Sequence, residues 1–285
     1  MENKTTQTIR IGELHYNNSN LERAAFFFEE GLGLKVLAKT SQQVQLGTLQ
    51  DHPLITLHKV NNPPQRKRTT GLYHLAIRLP TREDLAKLIL HLVNNEVGIS
   101  GVADHGVSES VYLAGPEGLD IELTCDRQKE EWPFDEEGNL DMITGELDLD
   151  NLILSIQGKD KRWAGFPAGT SNGHIHLRVA QLPETTRFYN LLGFQVSQIY
   201  GDQAVFFADG GYHHQIGTNT WQSTGAEPAD PDSAGLWYFE ILFSSTAYDS
   251  LVNSLTNNNL EIRSSENDFF LKDPNGIQIK IKKES

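Results

Sequence analysis

His74, Glu122 and His174 are the residues of this 285-residue chain whose types and positions suit a divalent metal. Two imidazoles and one carboxylate hold such an ion on one face and leave the opposite face open to substrate and oxygen. The only cysteine, Cys125, excludes a thiolate-based zinc site and an internal disulfide framework. Any metal must therefore be bound by histidine and carboxylate oxygen, and the chain is predicted to be a metal-dependent enzyme.

The elements that would position these residues recur along the chain. Similar helix sequences begin at Leu21 and Leu182, and similar first strands begin at Gly71 and Gly235. A Pro-x-Gly turn, Pro116–Gly118, precedes the closing strand of one unit, and a related turn precedes that of another. Each unit is predicted to contain one strand, one helix of about 12 residues and three short strands, a βαβββ module.

The chain is predicted to divide into two halves of two modules each, joined by a connector. The connector is rich in Asp, Glu, Gly and Lys, and one short helix is predicted in it around residues 147–157. The first half spans residues 8–126 with modules at 8–60 and 70–126, the connector spans 127–171, and the second half spans 172–283 with modules at 172–221 and 233–283.

Charge and hydropathy exclude several classes of partner. The chain has 38 acidic and 24 basic residues, a formal charge of -14, and no Lys/Arg-rich stretch that would follow a phosphate backbone. Nucleic acid is therefore not an expected partner. Residues 1–10 are polar, and the longest apolar run, Leu85–Val93, is interrupted by Lys87 and His91, so neither a secretory signal nor a membrane span is expected. The expected location is the cytoplasm.

The βαβββ unit, with its Leu-x-x-Ala-x-x-Phe-like helix and its Pro-x-Gly turn, resembles the vicinal oxygen chelate superfamily. That superfamily includes glyoxalases, bleomycin-type antibiotic binding proteins and type I extradiol ring-cleaving dioxygenases. Four modules in one chain are most similar to the catechol 2,3-dioxygenase-like proteins of Gram-positive bacteria. The resemblance implies an α+β fold in which the four modules form two incomplete β-barrels, with Fe(II), or Mn(II) or another divalent metal, in one of them.

The pairing of the modules decides which residues meet at the metal. In the superfamily, ligands come from the first and last strands of a module. Pairing modules three and four would include Tyr238 and Lys280, which cannot form a metal site. Pairing modules one and two would replace one histidine by Glu13, an unusual ligand set. Pairing two with three, and one with four, brings the three candidate ligands together, and it predicts ligand atoms within about 4 Å of one another.

Four further residues resemble the catalytic groups of extradiol dioxygenases. The stretch from His105 to Tyr112 resembles the segment that places a histidine and a tyrosine over the bound substrate. The stretch containing His213 and His214 resembles the strand that carries the acid-base histidine. Strand alternation allows only one of these two to face the metal: the Gly-Gly-x-His spacing favours His213, whereas alignment of the turns selects His214. His176 lies two residues from His174 and is expected to be near the ligands.

Three functions fit this sequence. The first is extradiol cleavage of a catechol-like aromatic with O2 as the second substrate. The second is a glyoxalase-like lyase or isomerase, which would add a fourth protein ligand, and His214 is the candidate. The third is a non-catalytic protein that binds a small aromatic molecule or drug and needs no metal. Members of the superfamily often associate as homo-oligomers, but the sequence fixes no stoichiometry.

Overall fold

The structure, a computed structural model, describes residues 7–64, 68–257, 263–265 and 268–284. Residues 258–262 and 266–267 of the predicted fourth module lie outside the described residues. The strands and helices follow the four predicted modules. In the first half they are β1 (Ile9–Asn18), α1 (Leu21–Phe26), β2 (Lys35–Lys39), β3 (Gln43–Gly47), β4 (Pro53–Lys59), β5 (Gly71–Arg78), α2 (Arg82–Asn94), β6 (Gly101–Asp104), β7 (Ser108–Leu113) and β8 (Ile121–Asp126).

The second half begins after a connector that contains one short α-helix. The connector has α3 (Leu149–Leu154), which lies within the predicted range 147–157. The elements that follow are β9 (Ser171–Arg178), α4 (Leu182–Leu191), β10 (Gln195–Tyr200), β11 (Ala204–Ala208), β12 (Ile216–Asn219), β13 (Gly235–Phe243), α5 (Ser245–Asn257), β14 (Arg263–Ser265), β15 (Asp268–Lys272) and β16 (Gln278–Lys283). The α+β class and the four βαβββ modules are as predicted, whereas the division into halves stays a prediction.

Each of the two eight-stranded sheets combines the strands of two modules. The inner sheet has the strand order β10-β11-β12-β9-β5-β8-β7-β6 and joins modules two and three. The outer sheet has the order β14-β15-β16-β13-β1-β4-β3-β2 and joins modules one and four. The pairing of two with three and one with four is confirmed. Each sheet curls into a half-barrel around the side chains of its central strands.

Local sequence explains how the helices cover these sheets. Thr81 caps α2, since its side chain accepts a hydrogen bond from the amide of Asp84, and acidic residues occupy the first turn. The buried face of α2 is apolar and packs on the inner sheet. Asn172 of β9 ties the two sheets together, because its amide donates to the carbonyls of Gly12 and Leu54 at 2.7 and 2.8 Å. The strands that carry the candidate ligands, β5, β8 and β9, are adjacent in the inner sheet.

The turn before β8 has no room for a side chain at Gly115. A Cβ atom placed there would lie 1.8 Å from the carbonyl oxygen of Leu119, so the turn that leads into β8 would have to move. We expect Gly115→Ala to lower the free energy of unfolding by about 2–4 kcal/mol. Urea unfolding measures this, with Gly98→Ala as the control, since a Cβ there meets nothing within 4 Å. Equal stability of the two variants would contradict the prediction.

Candidate metal centre

Three adjacent strands of the inner sheet position the candidate ligands. His74 lies on β5, Glu122 on its parallel neighbour β8, and His174 on its antiparallel neighbour β9. In the sheet register, Ala76 of β5 lies between Glu122 and His174. Because side chains two residues apart share a strand face, His74 points to the same side as Ala76 and so as the other two ligands. All three side chains are buried.

The ligand atoms of these residues converge on one point. The Nε2 atoms of His74 and His174 lie 3.2 Å apart. Oε2 of Glu122 lies 3.1 Å from Nε2 of His74 and 3.2 Å from Nε2 of His174. The distances satisfy the 4 Å criterion that the sequence set for this pairing. The role of the three as metal ligands stays a prediction.

The charge states of the group suit a cation. Burial alone would raise the pKa of Glu122, but the His174 imidazole and hydrogen bonds with both histidines outweigh burial and hold that pKa well below its usual value. Burial lowers the pKa of His174, and the Glu122 carboxylate offsets only part of this effect. A neutral imidazole and an ionised carboxylate are the forms that bind a metal. Two imidazole nitrogens lie close to one carboxylate oxygen, and a divalent ion bound there would have all three atoms as ligands.

A cavity of about 650 Å³ opens onto this group. Aromatic rings form one continuous wall: His176 lies next to Phe206 and Trp221, and Tyr73 lies next to Trp221, with ring centres 5.3–5.7 Å apart. Aliphatic residues cover much of the remainder; they are Val102, Ala103, Val107, Leu113, Ala114, Ile121 and Ile143. A flat, largely apolar ligand with polar atoms at one end would fit a cavity of this composition.

His105 and Tyr112 both line the cavity and contact each other. Nε2 of His105 lies 2.7 Å from the hydroxyl of Tyr112. Nδ1 of His105 lies 2.9 Å from the carbonyl oxygen of Ile143, which only accepts, so Nδ1 carries the proton and Tyr112 donates to Nε2. Burial raises the pKa of Tyr112, and the neighbouring Glu122 raises it further, which keeps the phenol protonated. The pair predicted from the sequence therefore forms one hydrogen-bonded unit beside the ligand group.

His214, not the favoured His213, faces the cavity. His214 lines it, and its ring centre lies 4.1 Å from that of His174. The His213 ring lies farther away, at 6.3 Å from that of His174, and binds Asp126. The Gly-Gly-x-His spacing favoured His213, whereas the alignment of the turns selected the histidine that lines the cavity; which ring has the acid-base role stays a prediction. The segment 209–215 is an irregular turn, and β12 begins only at Ile216.

His213 orients His214 through a chain of hydrogen bonds. Nε2 of His213 donates to Oδ1 of Asp126 at 3.1 Å, because a carboxylate only accepts. In the neutral His213 ring Nδ1 is then an acceptor, and it lies 2.9 Å from Nδ1 of His214, which donates to it. The basic nitrogen of His214 is therefore Nε2. Asp126 is itself held by the Tyr212 hydroxyl at 2.9 Å and by Arg78 at 3.3 Å.

Burial also fixes the protonation of these groups. It would raise the pKa of Asp126, but the hydrogen bond with His213 and the charge of Arg78 outweigh it, so the pKa is lowered. Burial lowers the pKa of His214 well below its ordinary value, and the neighbouring imidazoles lower it further. Asp126 is thus ionised and His214 neutral at neutral pH. A neutral imidazole with one fixed tautomer is a proton acceptor of defined direction.

Sequence reasoning placed His176 near the ligands but missed the supporting residues Trp221 and Asp126. His176 lines the cavity beside His74, with ring centres 5.0 Å apart, and Nδ2 of Asn219 lies 3.0 Å from its Nε2, so the proton of the neutral ring is on Nδ1. Its position was signalled by the two-residue spacing from His174. Trp221 and Asp126 gave no such signal, because one follows β12 in a loop and the other ends β8. Their roles depend on tertiary contacts between modules.

A second group of ionisable side chains lies in the outer sheet. Ligand atoms of Glu13, His15 and Glu240 lie within 4.8 Å of one another. The amine of Lys282 lies 3.2 Å from Oε2 of Glu240, and the Glu13 carboxylate is bound by Thr56 and Gln45. These partners already satisfy the carboxylates. The outer group therefore differs from the inner one in that a lysine amine already binds one of its carboxylates.

The buried His15 of this group predicts a pH dependence of stability. Burial, with the charges of His58 and two lysines, lowers the pKa of His15 to about 3, below its unfolded value of 6.5. The folded state therefore favours the neutral ring. The stability that this preference contributes is fully present above pH 6.5 and is lost as the pH falls toward 3. We expect His15→Phe to reduce the loss of unfolding free energy between pH 7 and pH 4 by roughly 3 kcal/mol. Urea unfolding at both pH values tests this; the exposed His52, changed to Phe, is the control, and an unchanged loss in His15→Phe would contradict it.

The chain is similar to known proteins in sequence and in fold. Residues 10–123 match the model of the glyoxalase/bleomycin resistance protein/dioxygenase superfamily. The catechol-2,3-dioxygenase of Bacillus subtilis (strain 168) is 36% identical over 272 residues, which cover 93% of each chain. A solved structure of a putative dioxygenase from B. subtilis subsp. subtilis str. 168 aligns with a TM-score of 0.61 at 13% identity, over 98% of this chain and 86% of that one.

A plant enzyme shares the fold as well. Glyoxalase I from Zea mays aligns with a TM-score of 0.57 at 15% identity, over 97% of this chain and 93% of its own. At such identities the likeness shows the fold alone. The extent and identity of the match to the Bacillus relative show more: the chain belongs to the glyoxalase/bleomycin resistance protein/dioxygenase superfamily. Among the described helices, none has the length and apolar character needed to cross a membrane.

Proposed function

We propose that the protein is a metal-dependent extradiol dioxygenase that cleaves a catechol-like aromatic ring with O2. The observation that carries the proposal is the convergence of His74, Glu122 and His174, whose ligand atoms all lie within 4.8 Å of one another on the floor of an aromatic-lined cavity. Fe(II) is the expected ion, and Mn(II) fits the same ligands. The dioxygenase name of the Bacillus relative supports the same reaction class.

The chain's own residues have distinct tasks in this reaction. When bound, a divalent metal acidifies the catechol hydroxyls and brings the ring and O2 together. His214 accepts a proton from the second hydroxyl at Nε2, the nitrogen left basic by His213 and Asp126. The Tyr112–His105 unit faces the same cavity and orients the substrate oxygens. Cleavage beside the diol adds both atoms of O2 and gives a semialdehyde of the muconic type.

Anaerobic loading with Fe(II) followed by aerated catechol tests the proposal. We expect a yellow ring-cleavage product and uptake of one O2 for each catechol consumed. Metal-free protein is the control and should be inactive. Purified protein that binds Fe(II) and catechol but takes up no oxygen, with catechol and with alkyl-substituted catechols, would contradict the assignment.

A glyoxalase-like lyase or isomerase is the second candidate, because His214 lies beside His174. Such an enzyme would add His214 as a fourth ligand. Within the described part of the chain, however, the convergent ligand group contains three residues and not His214. Turnover of a glutathione hemithioacetal without oxygen uptake would favour this candidate. Metal-free protein that binds aromatics as tightly as the loaded protein would favour a non-catalytic binder. Cytoplasmic location and homo-oligomer formation stay predictions.

A further inference from the structure

We infer that the cavity selects uncharged catechols with an apolar or aromatic substituent and rejects catechols that carry a carboxylate. The inference rests on the proposed function, since it concerns the substrate of that site. It comes from the charges and the shape of the cavity lining. The metal ligands themselves do not decide it, because they would contact only the two hydroxyl oxygens.

The lining offers no counter-ion for a carboxylate. Among the residues that the structure describes, no lysine or arginine lines the cavity, whereas Asp120 and Glu122 do. Arg178 lines the neighbouring cavity of about 1260 Å³ instead. Its guanidinium donates to the carbonyl of Leu72 at 2.7 Å and lies over the Tyr73 ring at 5.2 Å. A buried carboxylate without a cation loses its hydration and gains no compensating charge.

The amide and imidazole groups of the lining do not replace that cation. Nε2 of Gln198 donates one of its two hydrogens to the carbonyl of Met142 at 3.1 Å, and a neutral amide supplies no positive charge. Nδ1 of His105 is used by Ile143. Nε2 of His176 already accepts from the side-chain amide of Asn219 at 3.0 Å. The catechol oxygens would offset the positive charge of a bound metal, so that charge would not compensate a carboxylate on the substituent.

The aromatic wall gives an apolar substituent a place to bind. It runs from His214 through Phe206 and His176 to Trp221, whose side chain is partly exposed at the mouth. The cavity is larger than an unsubstituted benzenediol needs. An alkyl or aryl group in this space would displace water from apolar surface and stack on the rings, which favours binding.

A matched pair of substrates tests the inference. The Fe(II)-loaded protein is given 3,4-dihydroxyphenylacetate and its methyl ester, which share a ring and differ by one charge. We expect kcat/KM to be at least tenfold higher for the ester, and a smaller ratio overturns the inference even if both are cleaved. If neither compound nor catechol is cleaved, the proposed function fails separately. Anaerobic calorimetry then decides the inference: at least tenfold tighter binding of the ester supports it, whereas a smaller ratio or no binding of either compound overturns it.

A gain-of-charge variant gives a second readout. Thr144 lines the cavity and is exposed, so its replacement should leave the fold intact. We expect Thr144→Arg to lower the ester-to-acid ratio at least fivefold in whichever readout, kcat/KM or affinity, gave that ratio, because the new cation compensates the carboxylate. Thr144→Gln, which adds bulk without charge, should leave the ratio unchanged. An equal ratio in both variants and the unchanged protein would overturn the charge argument.

Discussion

Replacing Glu122 by glutamine is expected to abolish metal binding and, with it, ring cleavage. The substitution keeps the size of the side chain but removes the only negative charge among the three convergent ligands. Two neutral imidazoles and an amide are poor ligands for Fe(II), since the carboxylate supplies the charge that offsets dehydration of the ion. Because loss of a residue that merely supports a ligand costs 10- to 100-fold in affinity, loss of the ligand should cost more than about 100-fold. Metal content after dialysis and oxygen uptake with catechol measure both effects.

The matched control is Glu240→Gln in the outer sheet. Glu240 is also buried and also belongs to a group of three potential ligands, but its carboxylate binds Lys282. This variant should retain one metal per chain and its activity. The opposite result, with metal lost in Glu240→Gln and kept in Glu122→Gln, would move the metal to the outer sheet. If both variants retained metal and activity, neither group would be the metal site.

The sequence was sufficient to predict how the modules pair, and the reason lies in particular residues. Ligand chemistry at equivalent positions differs among modules: Lys280 stands where module two has Glu122, and Tyr238 stands where it has His74. Only one pairing puts two histidines and a carboxylate together, so a chemical constraint selected a topology that local propensity does not encode. Strand periodicity then puts all three ligands on one face, because the observed register sets Ala76 of β5 between Glu122 and His174.

The sequence was insufficient where backbone geometry departs from regular strands. The choice between His213 and His214 depends on a turn over residues 209–215, where the alternation rule has no meaning. The connector poses the same problem. It was expected to link the halves, yet the carbonyl of Ile143 fixes the tautomer of His105, and Met142 binds Gln198 beside the cavity. Such contacts join residues far apart in the chain, and no periodic pattern announces them.

Replacing His214 by alanine is expected to lower kcat by 10²- to 10⁴-fold while the metal stays bound. A positioned general base contributes a factor of this size, and His214 is the cavity-lining imidazole whose Nε2 is left basic by its neighbours. Metal should remain, because the convergent ligand group of the described residues does not include His214. Metal analysis, single-turnover kinetics with catechol under oxygen, and anaerobic catechol binding separate loss of chemistry from loss of binding.

His213→Gln distinguishes the catalytic imidazole from the residue that orients it. Glutamine can still accept from His214 or donate to Asp126, but it cannot do both with the fixed geometry of a ring. We expect a loss of kcat of about tenfold, smaller than that of His214→Ala, because His214 remains present but spends part of its time in the wrong tautomer. A larger loss in His213→Gln than in His214→Ala would reverse the two roles and restore the histidine that the Gly-Gly-x-His spacing favoured. Full activity of His214→Ala with metal bound would exclude an acid-base role for that ring.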